Sequence, residues 1–336
     1  MKVLIIGCGL IGRKRALALE NSDTLAACCD IDPVIAEKFG NDFSCKYFTD
    51  YWQALQEVDS DVVIIAVVNK FVKEMVLEAI KHGKHILVEK PLGRNYSEAS
   101  EMFSLSQSLS ITKFSVFKTG FNHRFHPAIW KAKILCDKGG IGKIFTIRAR
   151  YGHGGRPGME NEWRASKDLC GGGELLDQGV HVIDLIRWFG GEIKEVYGRV
   201  ETKFWEMEVE DSASAILKTR NDITASFNVS WTNWKNIFSF EIFGTKGYLR
   251  IEGLGGSYGE ETLEWGKRNP KGGKPEVQFF NFPPEDISWK EEWKEFKNAI
   301  HEKREVIGNV IDGLKANEVI AALYRSSNEK KVIIFD

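Results

Sequence analysis

The chain has 336 residues, 43% of them hydrophobic, with a formal net charge of −1 and a sequence pI of about 6.7; it is long enough to bury two cores, and so balanced a charge excludes nucleic acid as the expected partner. Six cysteines stand without a CxxC pair or a zinc-ligand spacing, which predicts reduced thiols used as small hydrophobes and no metal site. No apolar run nears the ~18 residues of a membrane span, and Met1-Lys2 leads into a strand, not a signal peptide, so a cytoplasmic protein without membrane contact is expected.

The first expected strand is Lys2-Val3-Leu4-Ile5-Ile6, and it runs directly into Gly7-Cys8-Gly9-Leu10-Ile11-Gly12. The glycines of this GxGxxG loop permit a tight turn, close approach of backbone to a pyrophosphate, and close packing of the next helix. That helix, over 10–20, would aim its unbonded N–H groups at the phosphates. A second apolar stretch, 25–29, ends at Asp30, 18 residues after Gly12. A carboxylate there is placed to bind a ribose 2′-hydroxyl, so the segment predicts a dinucleotide site.

Helix 34–39, a short strand 46–48 and a helical turn or two over 51–56 follow. Next come a continuous buried strand 61–68, a helix 72–82 stopped by Gly83, strand 85–88, helix 96–109 and strand 113–118. Repeated βα units of this kind build a parallel, doubly wound α/β sheet. Ligands bind over the carboxyl ends of such strands, where Gly7, Asp30 and Glu89-Lys90-Pro91 fall. A lysine at that edge can reach the nicotinamide end of a cofactor; a plain surface lysine at a strand exit is the alternative.

The second half changes character. Helix 127–138 and strand 143–151 are followed by one strongly apolar helix over 174–189. Strands are expected at 195–203, 212–219, 223–231, 238–243 and 248–252, with Thr245-Lys246-Gly247 as a hairpin turn and one short strand inside 253–273. Strands in succession mean an antiparallel or mixed sheet. Helices 289–303 and 313–329 and a last strand 332–335 close the chain. Trp205, Phe227, Trp231 and Trp234 would give the sheet a sticky second face for a homodimer or homotetramer, unless they fill the core.

Within 171–184 a triple glycine, Gly171-Gly172-Gly173, opens a helix carrying Asp177, His181 and Asp184. At about 100° per residue those three share a stripe roughly 60° wide. The other faces are apolar, so the helix is buried and its stripe must find partners or line a wet pocket. A structural Asp–His pair is the plainer reading. The loop 152–158, with His153 and Arg156, leads to Glu162-Trp163-Arg164; it would cover the pocket, with Arg156 or Arg164 meeting an anionic substrate group, or be a solvent-exposed loop with ordinary surface arginines. His123, His126 and His153 have no metal-ligand spacing.

Taken together, Gly7–Gly12, Glu89-Lys90-Pro91, Asn122-His123-Arg124-Phe125-His126-Pro127, Gly139-Gly140-Ile141-Gly142, Trp163-Arg164 and the 171–184 segment resemble the Gfo/Idh/MocA family of NAD(P)-dependent oxidoreductases, in the expected order over nearly the whole length. The resemblance implies an N-terminal Rossmann domain, 1–119. It also implies a C-terminal α/β domain, 120–336, whose large, mostly antiparallel open sheet serves substrate binding and oligomerisation. Most members oxidise a secondary alcohol of a sugar, inositol or nucleotide-linked sugar, or run the reverse reduction. By position Lys90 is the active-site lysine, with Asp177 and His181 as the catalytic pair. Gly7, Cys8, Gly9, Leu10, Ile11, Gly12, Asp30, Asn69, Glu89 and Lys90 would hold NAD, NADP being possible. Asn122, Arg124, His153, Arg156, Trp163, Arg164, Asp177 and His181 would meet a sugar-like substrate. One departure stands out: after the turn Val67-Val68-Asn69, Val72 occupies the place of a family histidine.

Hydride removal from a carbinol needs a base, positive charge near the developing alkoxide and an acceptor at contact distance. His181 is expected to take the proton, imidazole having an ordinary pKa near ~6.5. Lys90 would stabilise the alkoxide and Asp177 would orient the pair, with Lys90 as the immediate base in a variant of the scheme. Asp30 should select NAD by repelling a 2′-phosphate, which Arg13 or Arg15 could offset. The competing readings are a redox-neutral glycosidase or lyase that uses NAD transiently, an imine-type reductase on a similar fold, and a non-catalytic NAD-binding regulator.

Overall fold

Strand β1 (Lys2–Ile6) is buried from Val3 to Ile6, as a strand covered on both faces must be. The computed structural model describes residues 1–110 and 114–335. Packing divides the chain into two compact units: the described residues of 1–121 with 168–171 and 289–317 form the first, and the remaining described residues the second.

In the first unit β1 is followed by α1 (Leu10–Leu17), β2 (Thr24–Cys29), α2 (Pro33–Phe43), β3 (Lys46–Phe48), α3 (Tyr51–Glu57), β4 (Val62–Ile65), α4 (Asn69–Lys81), β5 (His85–Val88), α5 (Tyr96–Ser110) and β6 (Phe117–Thr119). The six strands pair in the order β3-β2-β1-β4-β5-β6, all parallel. This is the doubly wound order of a dinucleotide-binding sheet. Period-two alternation builds both cores: Leu4, Ile6, Val63 and Ile65 face one apolar layer, Val3, Ile5, Val62 and Ile64 the other.

Several boundaries differ from expectation for local reasons. Helix α1 stops at Leu17. Helix α2 starts at Pro33, where Asp32 caps it by accepting from the N–H groups of Val34 and Ile35, and it runs past the expected end at 39 to Phe43, where Ser44 turns left-handed. The strand expected over 61–68 ends at Ile65, and α4 begins at Asn69 rather than 72. Val72 is 1% exposed in the core, a place that suits valine. Of the strand expected over 113–118, Lys113 lies outside the described residues, and the ladder starts at Phe117.

The second unit holds α6 (Pro127–Asp137), β7 (Ile144–Gly152), α8 (Glu174–Asp177), α9 (Gly179–Gly190), β8 (Ile193–Glu201), β9 (Ser212–Thr219), β10 (Thr224–Ser230), β11 (Ile237–Gly244), β12 (Gly247–Glu252), β13 (Thr262–Lys267), β14 (Glu276–Asn281) and β15 (Ile333–Ile334). The short helix α7 (Lys167–Cys170) precedes α8, and α10 (Ser288–Glu302) and α11 (Val310–Glu329) precede β15. Nine strands pair as β14-β13-β12-β11-β7-β10-β9-β8-β15, antiparallel except for β7 with β10. Thr245-Lys246 forms the expected hairpin turn between Gly244 and Gly247. Strand β14 has no residue in the buried class, hence no alternation by which to foresee it.

Two expectations are corrected here. The helix expected over 174–189 is broken at Gln178 (φ −104°, ψ −34°) into α8 and α9, so Asp177 is not on one regular helix with His181. Gly179, a poor helix former, sits at the joint. Phe227 and Trp231 are 4% and 1% exposed: they point to the core, and of the four aromatics only Trp234 is strongly exposed, edge-on to Phe204. The outer sheet face instead alternates charge across strands, Glu264–Arg250–Glu241–Arg148, with Tyr197 and Ile216 exposed in the same row. No helix among the described residues is long and apolar enough to cross a membrane.

Candidate active site

The first unit carries a glycine cradle at the carboxyl edge of its parallel sheet. Gly7 has φ +97°, and a Cβ there would lie 2.1 Å from the Ala66 carbonyl oxygen; on Gly12 it would lie 1.9 Å from that of Gly7. Packing therefore demands the first and third glycines. A Cβ on Gly9 meets no described atom within 4 Å, so the middle of the loop is open on its outer side. That is the shape a pyrophosphate needs, and the chain fits a dinucleotide here. Leu10 is 72% exposed and Ile11 half-buried at the same loop. The Asp30 carboxylate is pinned beside it, accepting from the backbone N–H of Cys8 at 2.8 Å and of Asp32 at 3.1 Å. Lys90, half-buried, follows the end of β5 on the same sheet edge.

Two expected cofactor contacts turn inward. The Glu89 carboxylate is paired with Arg15, which is 1% exposed and also bonded to Glu292 at 2.5 Å. Lys118, fully buried, reaches the same Glu292 at 3.2 Å. Burial alone would lower the Arg15 guanidinium, but Glu292 and Glu89 beside it push it up, so it stays charged. Arg15 is thereby removed as a 2′-phosphate partner, and Arg13 is bridged to Asp42 at 2.6 Å. The Asn69 amide, also buried, donates to the Cys170 carbonyl at 2.8 Å. Glu89 and Asn69 frame the sheet edge through their side-chain bonds; they do not present those atoms to a cofactor.

In the second unit the turn Asn122–Phe125 and helix α9 bring their polar groups together. Arg124 is buried against Asp184, Nε to Oδ2 at 2.8 Å and Nη2 to Oδ1 at 2.5 Å. This corrects both its expected role as a substrate contact and the reading of Asp184 as part of a pocket stripe. His181, 3% exposed, lies face to face with His123, ring centroids 3.6 Å apart and planes 17° off parallel. His123 bonds Asn122 at 3.1 Å and the Tyr151 hydroxyl at 3.0 Å. Asp177 is more open, its carboxylate 3.7 Å from Arg164 Nε, whose guanidinium stacks over Trp163. Arg156 is tied at the surface to Glu162 by two hydrogen bonds, of 2.9 and 2.6 Å. Burial lowers the His153 pKa, with Asp177 pulling the other way; its Nδ1 accepts from the Gly155 N–H at 2.9 Å.

His123 was not among the expected site residues; the only signal for it was its place in the Asn122–Pro127 motif. All six cysteines are free thiols. Among the described residues no three His, Cys, Asp or Glu side chains gather as a metal site.

A glycine cradle on a doubly wound sheet, joined in one chain to a second unit with a buried histidine on a helix, defines a two-part nucleotide-dependent enzyme. Two family models match it. The oxidoreductase-family model with an NAD-binding Rossmann fold covers residues 1–116, and the Gfo/Idh/MocA C-terminal-domain model covers 129–250. The chain belongs to the Gfo/Idh/MocA family, as an oxidoreductase with an NAD-binding Rossmann fold. Levoglucosan dehydrogenase of Pseudarthrobacter phenanthrenivorans is 27% identical over 289 residues, 74% of this chain and 73% of that one. The 2,7-anhydro-N-acetylneuraminate hydratase of Escherichia coli is 27% identical over 196 residues, 57% of this chain and 50% of that one. A solved levoglucosan dehydrogenase in complex with NADH and levoglucosan has the same fold, with a TM-score of 0.90 at 23% identity and 99% of each chain covered.

Proposed function

We propose that the protein transfers a hydride between NAD and a secondary alcohol, or the corresponding ketone, of a sugar, nucleotide-linked sugar or inositol. The observation that carries this reading is the pairing, in one chain, of an open glycine cradle flanked by the Asp30 carboxylate with the buried imidazole of His181. When bound, NAD supplies a hydride acceptor at its nicotinamide. Residues 1–119 hold that cofactor, and 120–336 bind the substrate. His181 takes the hydroxyl proton, Lys90 donates a hydrogen bond to the hydroxyl oxygen and stabilises negative charge there, and Asp177 orients the reacting groups. His153, Trp163 and Arg164 are the remaining candidates to contact the sugar; Asn122, also expected to do so, is buried with its amide engaged by Ser288 and His123. The outer sheet face, with Tyr197 and Ile216 exposed, is where we place a homodimer or homotetramer contact, readable by light scattering on the eluting protein.

Asp30 sets the cofactor preference in this reading. A hydrogen bond to a charged group contributes ~1.5–3 kcal/mol, so Asp30→Ser should lower kcat/KM for NAD by roughly 10–100-fold while affecting NADP much less. An unchanged NAD-to-NADP ratio would remove Asp30 from that role.

Absorbance at 340 nm tests the reaction, with NAD and NADP offered separately against aldoses, anhydro sugars, inositols, hexuronic acids and UDP- or GDP-linked sugars. NADH formed from one substrate group, and lost in Lys90→Ala, supports the dehydrogenase. The hydratase among the relatives favours a second reading, a redox-neutral reaction on a glycosidic or anhydro bond. Its signature is product formation by chromatography, with NAD retained on the purified protein and no net absorbance change.

A further inference from the structure

We propose that His123 is the positioning residue of His181: held as the neutral Nδ1–H tautomer by Asn122 and Tyr151, its ring stacks on the His181 imidazole and sets the plane in which that imidazole meets the substrate hydroxyl. The inference rests on the role of His181 as base.

Hydrogen-bond directions fix the tautomer. Ser288 Oγ donates to Asp286 Oδ1 at 2.5 Å, so it accepts from Asn122 Nδ2 at 2.9 Å. The amide is thereby turned with its oxygen 3.1 Å from His123 Nδ1. A carbonyl oxygen only accepts, so Nδ1 carries the hydrogen. In the neutral ring His123 Nε2 is then the acceptor, and the Tyr151 hydroxyl 3.0 Å away donates to it. Tyr151 keeps its proton: burial pushes its phenol well above the ordinary value, and Tyr258 and Glu174 nearby add to that.

The stacking geometry gives this tautomer its use. At 3.6 Å between centroids, two imidazolium rings would repel strongly, whereas a neutral ring offers a polarisable π face to a cation. His123 therefore takes no charge when His181 gains one. Nor is it free to tilt, because His126 packs edge-on at 5.6 Å and is itself bonded to Glu261 at 3.1 Å. The ring of His181 thus rests on a surface fixed at both of its nitrogens and along one edge. Rotation of a proton acceptor away from its line of attack is the loss such a support prevents.

The test has two arms. In the protein labelled with 15N-histidine, ring nitrogen shifts read the tautomer of His123, assigned by comparison with His123→Phe. The neutral Nδ1–H pattern at pH 7.5 is expected; an Nε2–H or doubly protonated ring overturns the proposal. In the second arm, on the panel substrate that the wild type oxidises, His123→Leu removes the ring and should lower kcat about 10²-fold with KM moved less than about threefold. His123→Phe keeps the stack without the hydrogen bonds and should stay within about fivefold of wild type. Equal losses in both variants, or wild-type kcat in His123→Leu, overturn the proposal. Melting curves report whether each variant folds, and if the leucine protein does not, a phenylalanine variant that folds but is inactive still overturns it. His181→Asn measured alongside separates the two claims: normal turnover there removes the base itself, whereas loss there with none in His123→Leu removes only the positioning role.

Discussion

His181→Asn is expected to lower kcat by about 10²–10⁴, the range over which a positioned general base contributes. Asparagine keeps a polar group of similar size on α9 but has no nitrogen that accepts a proton near neutral pH. The change falls in the second unit, whereas the glycine cradle and Asp30 are in the first. NAD binding, read by quenching of protein fluorescence, should therefore stay within about twofold, and the loss should appear in kcat rather than in cofactor affinity. Single-turnover hydride transfer is the measurement that checks it. If Lys90 were the immediate base, the asparagine variant would lose less than about tenfold and Lys90→Met would carry the large loss instead. Losses in both variants that exceed neither single effect when combined would show the two acting as one unit.

The cofactor half of the candidate site was readable in the sequence because its signals are local. Four apolar residues, three glycines at fixed offsets and an acidic residue 18 positions on are each a statement about a short stretch of backbone, and β1, the start of α1, β2 and Asp30 stand where those statements put them. The parallel pairing of the sheet follows from the same βα repetition. What stayed hidden is pairing across long separations. Glu89 sits in a motif that suggests a cofactor contact, yet its carboxylate is claimed by Arg15, and Arg15 by Glu292, 277 positions away. No periodicity announces such a partner. The break at Gln178 was masked in another way: residues 174–189 are apolar on every face but the Asp177–His181–Asp184 stripe, so a pattern of burial continues across the joint while the regular helix does not. The stack of His123 on His181 belongs to the same class, two residues 58 positions apart whose only common property in the sequence is their type.

Arg124 puts this distinction to a stability measurement. Its motif position suggested a substrate contact, but its guanidinium grips Asp184 by two hydrogen bonds and lies 5.3 Å over the ring of Trp188, with 3% of the residue exposed. Asp184 is fully buried. Arg124→Met should therefore cost about 3–5 kcal/mol, because it strands a carboxylate in the interior, and the thermal midpoint should fall accordingly. Asp184→Leu alone should cost a similar amount by stranding the guanidinium. The double variant Arg124→Met/Asp184→Leu should recover most of the loss, since a buried ion pair replaced by apolar groups of similar volume is close to neutral in stability. A substrate contact predicts the opposite pattern: Arg124→Met would melt with the wild type and raise KM, and adding Asp184→Leu would repair nothing. The double variant decides between them, because recovery of the melting midpoint can come only from removing the second half of a pair that the first substitution had left exposed to the low dielectric of the core.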